Sequence, residues 1–125
     1  MAITLAQGED RVIQVPFIDD AGTPIDLSTA VDAVVLLQVN NKTQAKYSIV
    51  AKTGYGEASI NSTNNHIIDI VVKRDQSKNF STGILKLVCV ANIPDTVLGV
   101  KAIERVVAAG EVVQGFAKGE ELEIT

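Results

Sequence analysis

The chain has 125 residues, carries a formal charge of −4, and is 46% hydrophobic but only 4% aromatic, with no Trp. That length suits one domain that buries a core without staples, and a core rich in Val and Ile suits strands. An acidic chain with scattered Lys and Arg and few aromatics argues against nucleic-acid binding, and its single cysteine excludes an internal disulfide and points to a reducing compartment.

From the N-terminus, Met1-Ala2-Ile3-Thr4 lacks the basic-then-apolar order of a secretory signal. No run of about 18 apolar residues occurs, so no membrane partner is expected. Residues 11–19 alternate Ile13, Val15 and Phe17 with Val12, Gln14 and Pro16, which predicts a strand. Pro16 donates no ladder bond, so that strand belongs at an edge or bulge. Residues 19–22 form a turn. Residues 33–39 are apolar on both faces as far as Gln38, which predicts a central strand covered on both sides.

Asn40-Asn41-Lys42-Thr43 turns the chain, and residues 44–51 resume as a strand with Ala45, Tyr47 and Ile49 on one face. Gly54-Tyr55-Gly56 makes a hairpin tip, residues 58–61 a short strand, and residues 66–73 a strong one. Residues 74–81 are polar and hold the one helical turn. Residues 83–91 form a strand with Leu85, Leu87 and Cys89 on one face, residues 93–96 a loop, and residues 97–108 another strand. Its β-branched content and Gly99 favour strand over helix, with Lys101 and Arg105 pointing outward. Gly110 punctuates before Val112-Val113. Such short strands, with turn signals every ~8–12 residues, mark a β-sandwich.

Candidate chemistry is sparse. Asp19, Asp20 and Asp26 place carboxylates near Gly22 and Pro24. Clustered oxygens suit calcium, but the spacing lacks the bidentate Glu of a helix–loop–helix site. Asp side chains that cap their own backbone, with Gly22 at φ > 0, account for the same residues as a turn, with Leu27 tucked under the sandwich as an anchor. His66 is the only histidine and has no nucleophile and orienter in an evident arrangement. Cys89, between Val88 and Val90, reads as a core thiol, and one Cys with one His cannot supply a zinc site. Gly54-Tyr55-Gly56 is too short for a phosphate loop, which leaves Tyr55 as a contact residue. In the tail, residues 116–125, Leu122 and Ile124 alternate with acids, a pattern that fits a strand added to a neighbouring subunit.

The order of these features carries a family resemblance. "ITLAQGED" leads into "RVIQVPFIDDAGTPIDLSTA"; later come "HIIDIVVKRDQSKNFSTGILKLVCVA" and "KAIERVVAAGEVV". This order resembles the N-terminal immunoglobulin-like domain of tailed-phage upper baseplate and tail-fibre proteins. There a strand precedes D-x-x-G-x-P-x-D-L, a polar helical turn precedes a strand-opening Gly, and the last strand carries a basic residue and ends at Gly. The likeness spans residues 3–115; it departs at Leu85 and Leu87, where that family usually has a Tyr.

The resemblance implies an all-β, immunoglobulin-like antiparallel β-sandwich of about seven or eight strands over residues 1–115. It also implies a virion structural protein of baseplate, tail, collar or capsid, assembled in the host cytoplasm, with no enzymatic activity, cofactor or metal. Its partners would be other virion proteins and its own copies in a homo-oligomer. The interface residues expected are Ile3, Leu5, Tyr55, Leu122 and Ile124. The alternative is a carbohydrate- or receptor-binding sandwich, for which Tyr47 and Tyr55 make a thin aromatic platform.

Overall fold

Alternating apolar residues form strands wherever one face can be buried, and the turn residues set where each strand stops. A computed structural model of the chain describes residues 3–115. In chain order it contains β1 (Ile3–Ala6), β2 (Arg11–Pro16), β3 (Asp32–Val39), β4 (Lys42–Ser48) and β5 (Gly56–Ile60). Then come β6 (Ile67–Val72), the single helical turn α1 (Arg74–Ser77), β7 (Gly83–Asp95) and β8 (Gly99–Val113).

The strands lie in the order β1-β8-β7-β3-β4-β5-β6-β2. The sheet folds over at β5. Tyr47 and Ser48 of β4 pair in parallel with Gly56 and Glu57, whereas Ala58 to Ile60 pair antiparallel with β6. One layer is therefore β1, β8, β7, β3 and β4; the other is β5, β6 and β2. β1 runs parallel to β8, and apart from this pair and the β4–β5 link the neighbours are antiparallel. This is an all-β sandwich with immunoglobulin-like strand order. β2, β6 and β5 occupy the B, E and D places, and β3, β7 and β8 those of C, F and G.

Ile13 and Val15 of β2, Ile68, Ile70 and Val72 of β6, Val35 and Leu37 of β3, and Leu85, Leu87 and Cys89 of β7 share one buried cluster. Each such side chain contributes about 1.5–3 kcal/mol by leaving water. Cys89 stands on the F-type strand, where antibody domains place half of an inter-sheet disulfide. With one cysteine in the chain, apolar packing holds the layers here.

Several expectations need correction. β3 is central, between β4 and β7, but its burial alternates strictly, so only one face is covered by the core. Residues 93–95 are strand, not loop: β7 runs to Asp95, 96–98 turn, and β8 starts at Gly99, a long hairpin. Arg105 and Lys101 stand opposite Cys89 and Ile93, on the face that carries the core; Arg105 is half-buried there, while Lys101, nearer the hairpin tip, is exposed. Arg105 crosses toward the other layer, its Nε donating to the Ile18 carbonyl at 3.1 Å. Gly54-Tyr55-Gly56 is no hairpin tip, because β4 and β5, which it joins, are parallel. β2 ends at Pro16, short of Asp19, and it is an end strand of the sheet as its proline requires.

The β3–β4 turn is tight because Asn40 and Asn41 both hold positive φ, 51° and 67°. Two left-handed residues make the primed turn that matches strand twist. Asn40 also braces the start of β7: its Nδ2 donates to the Thr82 carbonyl at 3.3 Å, and its Oδ1 accepts from Ile84 N–H at 3.0 Å.

Candidate functional site

The clustered aspartates shape turns. Asp19 Oδ1 accepts from the N–H groups of Ala21 (2.9 Å) and Thr23 (2.8 Å). Gly22 sits at φ 86°. Asp26 Oδ1 accepts from Ser28 N–H at 2.8 Å, and the Ser28 hydrogen bonds hold its carboxyl below the ordinary range. Leu27 between them is buried. Among the described residues no group of three or more His, Cys, Asp or Glu is placed to hold a metal.

The other reactive groups are dispersed. Cys89 is fully buried, and burial pushes its thiol up to about 12. His66 opens the approach to β6, its carbonyl accepting from Phe17 N–H at 2.7 Å. Asp69, its nearest carboxylate in sequence, is engaged by Asn61 Nδ2 at 3.1 Å.

Tyr55 lies at a shallow groove of about 350 Å³ walled also by Ile49, Ala51, Lys52 and Glu57. Lys46 Nζ and Lys52 Nζ stand 5.2 and 5.5 Å from its ring centroid, within cation–π range. Lys52 also pairs with Asp32. Partial burial pushes the Asp32 carboxyl up, but the Lys52 ammonium and the Ser48 hydroxyl draw it below its ordinary value. Tyr55 is half-buried and braced.

The most exposed large hydrophobic among the described residues is Val97, at the tip of the β7–β8 hairpin. β7 and β8 continue past Asp32↔Asn92, where β3 begins, through Ile93↔Lys101, Pro94↔Val100 and Asp95↔Gly99. At the tip Val97 is 85% exposed and Leu98 67%. Asp95 fixes the turn, its Oδ2 accepting from Val97 N–H (3.1 Å) and Leu98 N–H (2.8 Å). On the outer face of the larger layer, Val106 stands opposite Val88, and Val88 opposite Leu36. Val106 is exposed, and Val88 and Leu36 are half-buried. In the sequence Val97 and Leu98 read as the start of the strand over residues 97–108, after a loop at 93–96, which hid them as a turn.

The expected interface residues divide. Leu5 is fully buried and belongs to the core, so it is corrected: its side chain packs under β1 and presents nothing outward. Ile3 is half-buried against that core and lines a groove of about 370 Å³ with Arg11, Val12, Ile13 and Gln14. This groove follows the two terminal strands of the sheet, β1 and β2. Leu122 and Ile124 lie outside the described residues.

No protein-family model, curated protein or solved structure matches this chain. Function therefore has to be argued from its surfaces.

Proposed function

We propose that this chain is a bacteriophage virion structural protein that acts by docking to other virion proteins and to its own copies. The β7–β8 hairpin carries the proposal. Exposed Val97, Leu98 and Val100 stand beyond the sandwich on a turn that Asp95 holds rigid. Rigid apolar tips lose little entropy when they enter a partner's pocket. Farther down the hairpin, past Glu104, Val106, Val88 and Leu36 form a separate apolar strip on the outer face of the larger layer. The order of sequence features shared with tailed-phage baseplate domains supports the particle as the setting, and no enzymatic step is assigned.

The test is a copy count by quantitative mass spectrometry of purified particles, with the Leu98→Glu variant alongside. A fixed ratio to the major capsid protein is expected. Leu98→Glu, on an exposed side chain, should leave stability within about 0.5 kcal/mol yet reduce incorporation. Absence of the chain from clean particles would sink the proposal.

A carbohydrate- or receptor-binding module is the second reading, favoured by Tyr55 beneath Lys46 and Lys52 at its groove. A glycan array separates the two: saturable binding that Tyr55→Ala abolishes would move the weight to it.

A further inference from the structure

The smaller layer contains B-, E- and D-type strands, and among the described residues nothing pairs with the outer edge of β2, where an immunoglobulin-like sheet carries its A strand. β1 is committed to β8 instead. The orientation of the open edge follows from one bond. Phe17 N–H donates to the His66 carbonyl, in register with the pairing of Val15 to Ile68 and Ile13 to Ile70. Backbone groups alternate sides along an antiparallel strand. The odd residues therefore bond β6, while Val12, Gln14 and Pro16 turn their backbone groups outward. Pro16, with no N–H, sits where that loss costs nothing within the fold. Unpaired edge groups of this kind template another strand.

The groove beside this edge is lined by Ile3, Val12, Ile13 and Gln14, with Arg11 its charged side chain. Arg11 donates to the Thr4 carbonyl of β1 at 3.0 Å and is about one-third exposed, with a loose 3.8 Å pair to Glu9. An acidic, alternating strand fits these walls. Residues 116–125 have that sequence: Leu122 and Ile124 alternate with Glu121 and Glu123. The chain leaves the described fold beside Gln7, whose N–H donates to Val113 O at 3.0 Å and whose carbonyl oxygen abuts Gly115. Val112 pairs with Gly83, the first residue of β7, so β8 leaves at that end of the larger layer and points out of it. At ~3.3 Å per residue the ten tail residues exceed the six of β2.

We infer that residues 116–125 of one copy add as a strand to the open β2 edge of a neighbouring copy. This deepens the docking proposal and rests on it for its setting, but it is tested on the purified full chain alone. Hydrogen exchange of the Val12 and Gln14 amides is measured across a dilution series, for the full chain and for the Leu122→Glu/Ile124→Glu variant. The expected result is exchange at least about tenfold slower at high than at low concentration, lost in the variant. A free peptide of residues 116–125, added to dilute protein, should slow the same two amides. Fast exchange at every concentration overturns the inference. Slow exchange independent of concentration also overturns it, because the strand would then come from the same chain. Either failure leaves the particle copy count, and so the docking proposal, standing.

Discussion

At the residue scale, the tightest constraint lies where β1 meets β8. Gly110 holds φ 135°, and a Cβ there would stand 1.9 Å from the Ile3 carbonyl oxygen. The register of β7 on β8 slips at this point, with Leu85 opposite Gly110 but Lys86 opposite Ala108. A bulge glycine thus lets β1 approach in parallel register. Gly110→Ala should lower stability by about 2 kcal/mol or more in urea titration, with faster amide exchange along β1 than along β3. Unchanged stability and exchange would refute the close approach. The aspartates of residues 19–26 show the opposite case. Their roles in the turns are local, so the identities of Asp19, Gly22 and Asp26 were enough to read them.

At the element scale, α1 is a turn of four residues with no stability of its own. It is held by tertiary bonds: Arg74 N–H donates to Asp10 Oδ1 at 2.6 Å, Ser77 Oγ to the Glu9 carbonyl at 2.8 Å, and Tyr47 Oη to Gln76 Oε1 at 3.0 Å. Tyr47 is fully buried in β4, so its hydroxyl ties the larger layer to α1. Tyr47→Phe removes this bond while Gln76 Oε1 keeps the Lys73 N–H at 3.4 Å, so it should cost about 0.5–1.5 kcal/mol by chemical denaturation; a loss under ~0.3 kcal/mol would show the bond to be incidental. The polar composition of residues 74–81 predicted the turn, but nothing local indicated its partners at Asp10, Glu9 and Tyr47. The length of the β7–β8 hairpin was missed for a similar reason. Ile93, Pro94 and Asp95 read locally as loop residues, whereas cross-strand pairing carries β7 through them.

At the scale of the molecule, burial sets the pH response. Burial raises both Cys89, to about 12, and Tyr47 above its ordinary value of 10.0. Both groups stay protonated when folded and ionise more readily when unfolded. The unfolded chain therefore binds fewer protons at alkaline pH, and stability falls as pH rises. The contribution is intact below about pH 9, the ordinary cysteine value, and is lost progressively through about pH 12. Denaturation midpoints measured between pH 7 and 11 should be flat to about pH 9 and then decline, with a shallower decline for Tyr47→Phe. A flat profile to pH 11 would contradict the burial of both groups.

The sequence by itself determined that the chain is a β-sandwich, where most strands run, which residues make the turns, and that Leu27 and Cys89 are core. These rest on period-two alternation and turn chemistry, which are properties of a few neighbouring residues. Tertiary structure alone decided that β3 is covered on one face, that Lys101 and Arg105 lie on the core side, that Leu5 is buried, and that β5 passes from one layer to the other. It also decided that the outer edge of β2 carries no strand among the described residues. Alternation says that two faces differ; which face meets the second layer, and which edge meets another strand, depends on pairings between residues far apart in the chain, such as Ile3 with Gly110 and Arg11 with Val72.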